Sequence, residues 1–112
     1  MTHYLAELYS PKPAWLTLHP KDRERFFETI GARMAGLSAI GVEALAFGET
    51  DGAIVHAPSQ RFFAIWRAPD AAAIQALAEG IAASGWHGYF ETINAAGAGD
   101  SIDDHLAQLA GL

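Results

Sequence analysis

The sequence predicts an α+β domain with the element order β-α-β-β-α-β, followed by a short helix. Three observations lead to this prediction. Two stretches carry apolar residues at helical spacing, and each begins beside a proline. Four other stretches are short runs in which apolar and aromatic residues dominate or alternate, as in strands. The 112 residues are enough for one such domain, covering residues 1–112, and too few for two.

The composition limits the classes of function. A net charge of −6 argues against nucleic acid or an anionic membrane as the main partner. The absence of cysteine excludes disulfides, thiolate nucleophiles and cysteine-ligated metals. The N-terminus does not resemble a signal peptide, and no apolar run approaches the roughly 20 residues of a membrane span. We therefore expect a soluble, cytoplasmic protein.

The first half of the chain predicts one strand and one helix. His3 to Ser10 alternates as a strand, and the prolines of Pro11 to His19 predict a loop. Pro20 suits the first turn of a helix, which Gly41 is placed to end. The apolar stripe of this helix consists of Phe27, Ile30, Met34 and Leu37.

The next stretch predicts two strands and a second helix. Val42 to Phe47 is the first of these strands, and Gly48 to Gly52 is a turn. Phe62 to Arg67 is almost wholly apolar, as a central strand should be. Asp70 opens the helix and Gly85 closes it. The stripe of this helix consists of Ile74, Leu77, Ala78 and Ile81.

The stretch from Gly85 to Asn94 is predicted to be the last strand. One of its faces would carry a histidine, a phenol and a carboxylate: His87, Tyr89 and Glu91, followed by Ile93. The other face would carry Trp86, Gly88, Phe90 and Thr92. Ala95 to Gly99 then predicts a flexible connector. Asp100 and Asp103 resemble an acidic capping box for a short terminal helix with Ile102, Leu106 and Leu109 on one side.

With right-handed crossovers this order gives the ferredoxin-like arrangement, an antiparallel sheet with strand order 4-1-3-2. Two helices cover only one face of such a sheet. The uniformly apolar set is predicted to face the helices: Ala6, Leu8, Phe63, Ile65, Trp86 and Phe90. The open face would then hold Leu5, Glu7, Tyr9, Phe62, Ala64, Trp66, His87, Tyr89, Glu91 and Ile93. Because large apolar groups exposed together form an association surface, we expect a homodimer with sheet facing sheet.

The order of elements over nearly the whole chain resembles that of the dimeric α+β barrel superfamily. Three segments, Ala6–Trp15, Phe62–Trp66 and Gly85–Gly97, resemble a bacterial family of unknown function within it. The superfamily includes cofactor-independent monooxygenases of polyketide tailoring, muconolactone isomerases and stress-responsive barrel proteins. The resemblance implies a homodimer with a ligand cavity between sheet and helices, or within the barrel, of each protomer. It identifies no catalytic residue, because the subfamilies use different ones.

The candidate catalytic residues are His87, Glu7, Glu91 and Tyr89. In one register Glu7 lies opposite His87, which places His3 opposite Glu91. A two-residue slip instead puts Glu7 beside Tyr89 and Tyr9 beside His87, and the sequence leaves both open. These groups would act as a general base or proton relay on an aromatic or enol-type ligand. In the alternative reading they satisfy one another across the dimer interface.

Ligand binding is assigned to aromatic residues and one amide: Tyr9, Trp15, Trp66, Phe62 and Asn94. The rings could form a wall for a flat apolar ligand, and the alternative is that they form dimer core. Trp15 lies in the proline-rich loop, where a lid or pocket edge belongs.

Neither a metal nor a cofactor is expected. The five histidines form no tight HxH or HxxxH pair. On a strand, His87 and Glu91 would be about 13 Å apart, too far to share an ion. Haem ligation by one histidine is left open, since some barrel relatives bind haem.

The function predicted from the sequence is that of a small-ligand-binding barrel. The expected chemistry is that of a cofactor-independent monooxygenase or isomerase acting on an aromatic or polyketide-like compound. The alternatives are a non-catalytic dimer that binds a hydrophobic metabolite and a purely structural dimer without a cavity. Void volume beside Glu7, His87 and Glu91 distinguishes the cavity-bearing hypotheses from the structural one.

Overall fold

The structure is a computed structural model that describes residues 1–112. Four strands and five helices follow in chain order: β1 His3–Pro11, α1 Pro13–Leu16, α2 Pro20–Ala39, β2 Glu43–Glu49, β3 Phe62–Ala68, α3 Ala71–Ala83, α4 Trp86–Tyr89, β4 Phe90–Ala98 and α5 Ile102–Ala110.

The strands form one antiparallel sheet in the order β2-β3-β1-β4, which confirms the predicted strand order and fold class. The helices α2 and α3 are the two crossover connections, as in the ferredoxin-like arrangement. None of the helices is both long and apolar enough to cross a membrane.

Local capping signals fix the ends of the long helices. His19 Nδ1 accepts the backbone N–H of Lys21 at the start of α2, and Asp70 Oδ1 accepts that of Ala73 at 2.8 Å at the start of α3. Gly41, after α2, has a φ of 93°, a conformation that favours glycine. For α5 the predicted acidic capping box is wrong. Ser101 is the cap, because its hydroxyl accepts the N–H of Asp104.

The predicted strand from Gly85 to Asn94 is wrong in its first half. Gly85 has a φ of 89°, and residues Trp86–Tyr89 form the helical turn α4. Lys12 holds this turn, since its N–H donates to the carbonyl of Tyr89 at 2.7 Å and its Nζ to the carbonyl of His87 at 2.6 Å. The strand begins at Phe90 and continues through Ala98, so the predicted connector is mostly strand.

This displacement changes the register of β1 with β4. Glu7 pairs with Asn94, and His3 pairs with Ala98, so both predicted registers are wrong. The observed register differs from each by an odd number of residues, and such a shift exchanges the faces that two strands share. As a result, Glu7 and Glu91 lie on opposite faces of the sheet.

The predicted faces of β1 and β3 are also exchanged. Leu5, Ala64 and Trp66 are buried in one core cluster with Ile74 and Leu77 of α3, so their face is the one that the helices cover. The open face is instead lined by Tyr4, Ala6, Leu8, Phe63, Ile65 and Ile93. The prediction assumed that a strand carrying a carboxylate would turn it away from the helices. In the structure Glu7 is accommodated on the helix side because it is hydrogen-bonded there.

The proline-rich segment also differs from its prediction. It contains the short helix α1, and Trp15 within it is buried rather than placed as an exposed lid. Its ring lies 4.8 Å from that of Phe90 and 5.1 Å from that of Phe27, measured between centroids. Aromatic packing therefore ties α1 and α2 to the start of β4.

Candidate functional site

A cavity of about 330 Å³ lies between α2 and the helix-covered face of the sheet. Ten residues from six elements line it, and nine of them are hydrophobic. They are Glu7, Tyr9, Ile30, Met34, Ala44, Phe47, Ala64, Trp66, Ile81 and Trp86.

The cavity exists because the two long helices pack differently on the sheet. Buried side chains of α3 pack against the sheet, and Leu77 has no exposed surface. α2 has no fully buried residue, and its stripe residues Ile30 and Met34 remain half-buried. Two of the sheet residues that line the space, Ala44 and Ala64, contribute only methyl groups. Small side chains opposite a loosely packed helix leave the space open.

Glu7 is the only charged residue of the lining, and 4% of its surface is exposed. The indole Nε1–H of Trp66 donates to Glu7 Oε1 at 2.7 Å. Burial raises the pKa of Glu7, and the hydrogen bond from Trp66 opposes that rise by stabilising the carboxylate.

The second oxygen of Glu7 remains available. The Trp66 bond is the only hydrogen bond to this carboxylate, and no buried side-chain oxygen of the protein lacks a partner. Oε2 of Glu7 therefore has accessible surface, and the cavity that Glu7 lines is where a ligand can reach it.

Tyr9 adds a second titratable group to the same cavity. Burial raises the pKa of its phenol, and the nearby Glu7 carboxylate raises it further. The ring lies edge-on to Trp86, at 5.2 Å between centroids, and 5.8 Å from Phe62, on which it stacks. At neutral pH the phenol is protonated, and it borders the cavity as a hydrogen-bond donor and an aromatic wall.

The structure brings together three of the predicted site residues, Glu7, Tyr9 and Trp66. Phe62 and Trp15 lie outside this cavity and border a more open depression of about 370 Å³. Asn94 borders a third depression, near the junction of β1, β4 and α3. The binding roles of these last three residues stay predictions.

The other predicted catalytic residues do not reach the cavity. His87 is exposed on α4, Tyr89 packs against Trp15 with ring centroids 5.4 Å apart, and Glu91 is exposed on β4. The predicted His–carboxylate pairs do not form, because α4 removes His87 from the sheet and Glu91 faces the other side. The catalytic roles of the three residues stay predictions that this geometry does not support.

Several lining residues carried no functional signal in the sequence. Ile30, Met34 and Ile81 belong to the predicted helix stripes and read as ordinary core. Trp86 was expected on the helix side and lies there, but on a helical turn. The one sequence signal for this cavity is the small size of Ala44 and Ala64 in its lining. This signal can be interpreted only when the strand register is known.

A metal site is not part of this arrangement. No three or more His, Asp and Glu side chains come together in a group that could hold a metal ion.

The fold is similar to that of solved structures at low sequence identity. A protein described as putative chlorite dismutase TA0507 matches with a TM-score of 0.60 and 19% identity, over 81% of this chain and 39% of that chain. This chain thus spans well under half of that protein. A dimeric ferredoxin-like protein of unknown function from Thermobifida fusca matches with a TM-score of 0.53 and 13% identity, over 88% and 91% of the two chains.

A third structure, of methylated RPA0582 protein, matches with a TM-score of 0.54 and 12% identity, over 89% of this chain and 83% of that chain. At these identities the likeness shows the fold alone. No curated protein matches the chain. The sequence model of a family of unknown function, DUF6616, matches residues 2–112.

Proposed function

The chain belongs to the family of unknown function DUF6616, and from its cavity we propose that the protein binds a small, flat, largely apolar compound whose one polar group meets Glu7. The observation that carries this proposal is a single carboxylate, 4% exposed, in the wall of a cavity whose other lining residues are hydrophobic.

The size and chemistry of the cavity support this ligand class. Binding sites for small molecules are commonly about 300–1,000 Å³, mostly apolar, with a few polar groups that fix orientation. The cavity of about 330 Å³ lies at the lower end, which suits a compound of one or two fused rings. The rings of Tyr9, Phe47, Trp66 and Trp86 favour a planar aromatic ligand.

The hydrogen bonding and ionisation of Glu7 restrict which polar group the ligand can carry. Because Oε1 is occupied by Trp66, a ligand meets Oε2. The ionised carboxylate accepts a hydrogen bond from a phenol or enol hydroxyl, and the protonated acid donates one to a carbonyl. A ligand carboxylate is disfavoured, since it would face the like charge of ionised Glu7 in a mostly apolar cavity.

A matched pair of probes tests the proposal. Naphthalene and 2-naphthol differ by one hydroxyl, and NMR titration of the indole N–H signals of Trp66 and Trp86 reports occupancy at two walls of the cavity. We expect the Glu7→Gln variant to weaken 2-naphthol binding by about tenfold, the effect of one hydrogen bond to a charged group, and to leave naphthalene binding unchanged. The exposed Glu43→Gln serves as control. Equal weakening of both probes, or none, contradicts the role of Glu7.

A second candidate function is proton transfer at carbon. The raised pKa of Glu7 and its unsealed Oε2 are the features that favour it. In this scheme Oε2 takes a proton from the carbon beside a ligand carbonyl, and the C–H electron pair moves to the carbonyl oxygen as an enolate. Return of the proton to another carbon would complete an isomerisation. An oxygenase would instead expose the enolate to molecular oxygen.

Deuterium incorporation tests this step without knowledge of the natural substrate. The probe is 2-tetralone, a ketone of naphthalene size with an acidic C–H at C1. We expect the protein to accelerate exchange at C1 in D₂O above the buffer rate, with the rate rising with pH as Glu7 ionises. Glu7→Gln should return the rate to that of buffer. Exchange that persists in this variant contradicts Glu7 as the base.

We also propose that the protein is a homodimer formed through the open sheet face. That face carries mostly apolar and aromatic side chains, and Ile93 alone is 54% exposed. Contiguous apolar patches of this kind mark interaction sites. The Thermobifida fusca protein of similar fold is described as dimeric, which supports a dimer here.

A further inference from the structure

The terminal helix α5 is the one long element without packing in the protomer. Every residue of this nine-residue helix is exposed, and it makes no extensive contact with any other element. Its apolar residues nevertheless fall on one side, with Ile102 69%, Leu106 54% and Leu109 52% exposed. Isolated helices of this length are marginal in water and depend on packing of their apolar face. The helix is therefore built to cover a surface that its own protomer does not present to it.

A surface in need of cover lies at the other edge of the sheet. Strand β2 is the edge strand opposite β4, and all its residues except Gly48 are exposed. Phe47 of β2 lines the cavity and is still 51% exposed, so it stands at the cavity mouth. The ring of Phe47 lies edge-on to that of Trp66, at 4.9 Å between centroids. The cavity mouth is therefore in contact with Trp66, the residue that donates a hydrogen bond to Glu7. The neighbouring Leu45 is 43% exposed.

In the structure α5 makes no extensive contact with β2 of its own protomer. The N–H of Gly99 donates to the carbonyl of Thr2, which holds that residue at the β4 edge. Only Asp100 and Ser101 then precede the helix, a reach of about 10 Å. The centres of β4 and β2 are three strand spacings apart, about 14 Å. The short linker therefore starts α5 at the β4 edge, and the β2 edge stays uncovered in the protomer.

A second copy of this chain has the geometry to cover it. When two open faces pack about a two-fold axis that runs along the strands, the β4 edge of one protomer lies over the β2 edge of the other. The helix α5 leaves the sheet at the end of β4, the strand whose Ile93 belongs to the proposed dimer face. In this dimer α5 would start beside the partner's β2. Because the two-fold axis makes the exchange reciprocal, the apolar side of each α5 and the exposed β2 of each protomer would both be covered.

We propose that α5 of each protomer docks on β2 of its partner and that Leu106 and Leu109 complete the apolar wall of the partner's ligand cavity at Phe47. The inference rests on the proposed dimer and cavity. It makes the terminal helix a specificity element, because its side chains limit how far a ligand extends past Phe47. Each binding site is then shared between two copies of the chain.

Cysteine cross-linking tests this arrangement directly, since the chain has no cysteine of its own. Two differently tagged chains are co-expressed, one with Phe47→Cys and the other with Leu106→Cys, and treated with a short bismaleimide. We expect a covalent dimer that carries both tags. The control pair joins Leu106→Cys with Glu28→Cys, an exposed position on α2 outside the cavity lining, and should cross-link far less.

Two results would overturn the exchange. One is the absence of a two-tag product with Phe47→Cys. The other is a chain carrying both cysteines that cross-links only within itself. Because α5 is not part of the core, Leu106→Asp should leave the protomer folded. It should weaken naphthalene binding by about tenfold, as expected for loss of one apolar wall contact.

The outcome is separable from that of the proposed function. Cross-linking without any Glu7-dependent binding of 2-naphthol would support the helix exchange and reject the ligand proposal. Glu7-dependent binding of 2-naphthol without cross-linking would support the ligand proposal and reject the helix exchange.

Discussion

The two halves of the helix-covered sheet face are packed differently. Under α3, Leu5, Ala68, Ile74 and Leu77 form a close-packed core with almost no exposed surface. Under α2, the same sheet carries a cavity and a buried carboxylate. A protein that needed only stability would fill the second half as it fills the first. This contrast is what we expect if the α3 half maintains the fold and the α2 half holds the proposed ligand.

The largest expected effect tests the packed half. Leu77→Ala removes a side chain with no exposed surface and leaves a cavity, so we expect a loss of about 3 kcal/mol in the free energy of unfolding. Met34→Ala, on the open half, should cost only about 1 kcal/mol, because its side chain already borders empty space. Urea denaturation followed by circular dichroism measures both. Equal losses would remove the proposed distinction between the halves.

The next effect concerns the hydrogen bond that holds Glu7. Trp66→Phe keeps an aromatic ring but removes the pyrrole part of the indole with its N–H donor, so a buried carboxylate loses its partner. We expect a loss of about 2 kcal/mol in the free energy of unfolding. Adding Glu7→Leu should recover most of it, because no buried polar group then lacks a partner. A double variant as unstable as Trp66→Phe alone would show that the loss comes from ring packing.

The pH dependence of stability follows from the direction of the Glu7 shift. The pKa of Glu7 is raised by burial in the folded state, so the folded protein holds this proton to higher pH than the unfolded chain does. Stability from this group is fully present below the unfolded pKa and falls as the pH rises through the folded pKa. Unfolding free energies of the protein and of Glu7→Gln should therefore diverge between these two values, with the unsubstituted protein losing stability relative to the variant. A constant difference across that range contradicts a raised pKa.

The smallest effect on protomer stability is expected on the open face. Ile93→Asp places a charge on an exposed position, so unfolding of the protomer should change by no more than about 0.5 kcal/mol. The same change should convert dimer to monomer in light scattering coupled to size-exclusion chromatography, because it buries a charge in the proposed interface. Asn94→Asp, its neighbour on the other face of β4, is the matched control and should stay dimeric. A dimer that survives Ile93→Asp places the interface elsewhere.

The sequence was sufficient for the order of the four strands, the two long helices and the terminal helix, because these depend on local signals, whereas the short helices α1 and α4 were not predicted. Pro20, Gly41 and Asp70 mark helix ends through properties of single residues, namely a fixed φ, a positive φ and a side-chain cap. The fold class then follows from the handedness of the crossovers. The structure confirms each of these features.

The site was harder to predict because it depends on a register that no local signal sets. The turn at Trp86–Tyr89 is held by Lys12, which is distant in sequence, and a run of alternating aromatic residues gives no warning of it. An odd shift in register then moved Glu7 away from Glu91 and exchanged the faces of two strands. Glu7, Tyr9 and Trp66 stayed together because they belong to the pair β1 and β3, whose shared face was predicted as a unit.

The most direct test of the account is a crystal structure of the protein as purified from cells. We predict that electron density for a flat molecule fills the space between Met34 and Ala64, with a polar atom within hydrogen-bond distance of Glu7 Oε2. A structure in which α2 has moved onto β2 and β3, and the side chains of Ile30 and Met34 fill that space, would contradict the proposed ligand site.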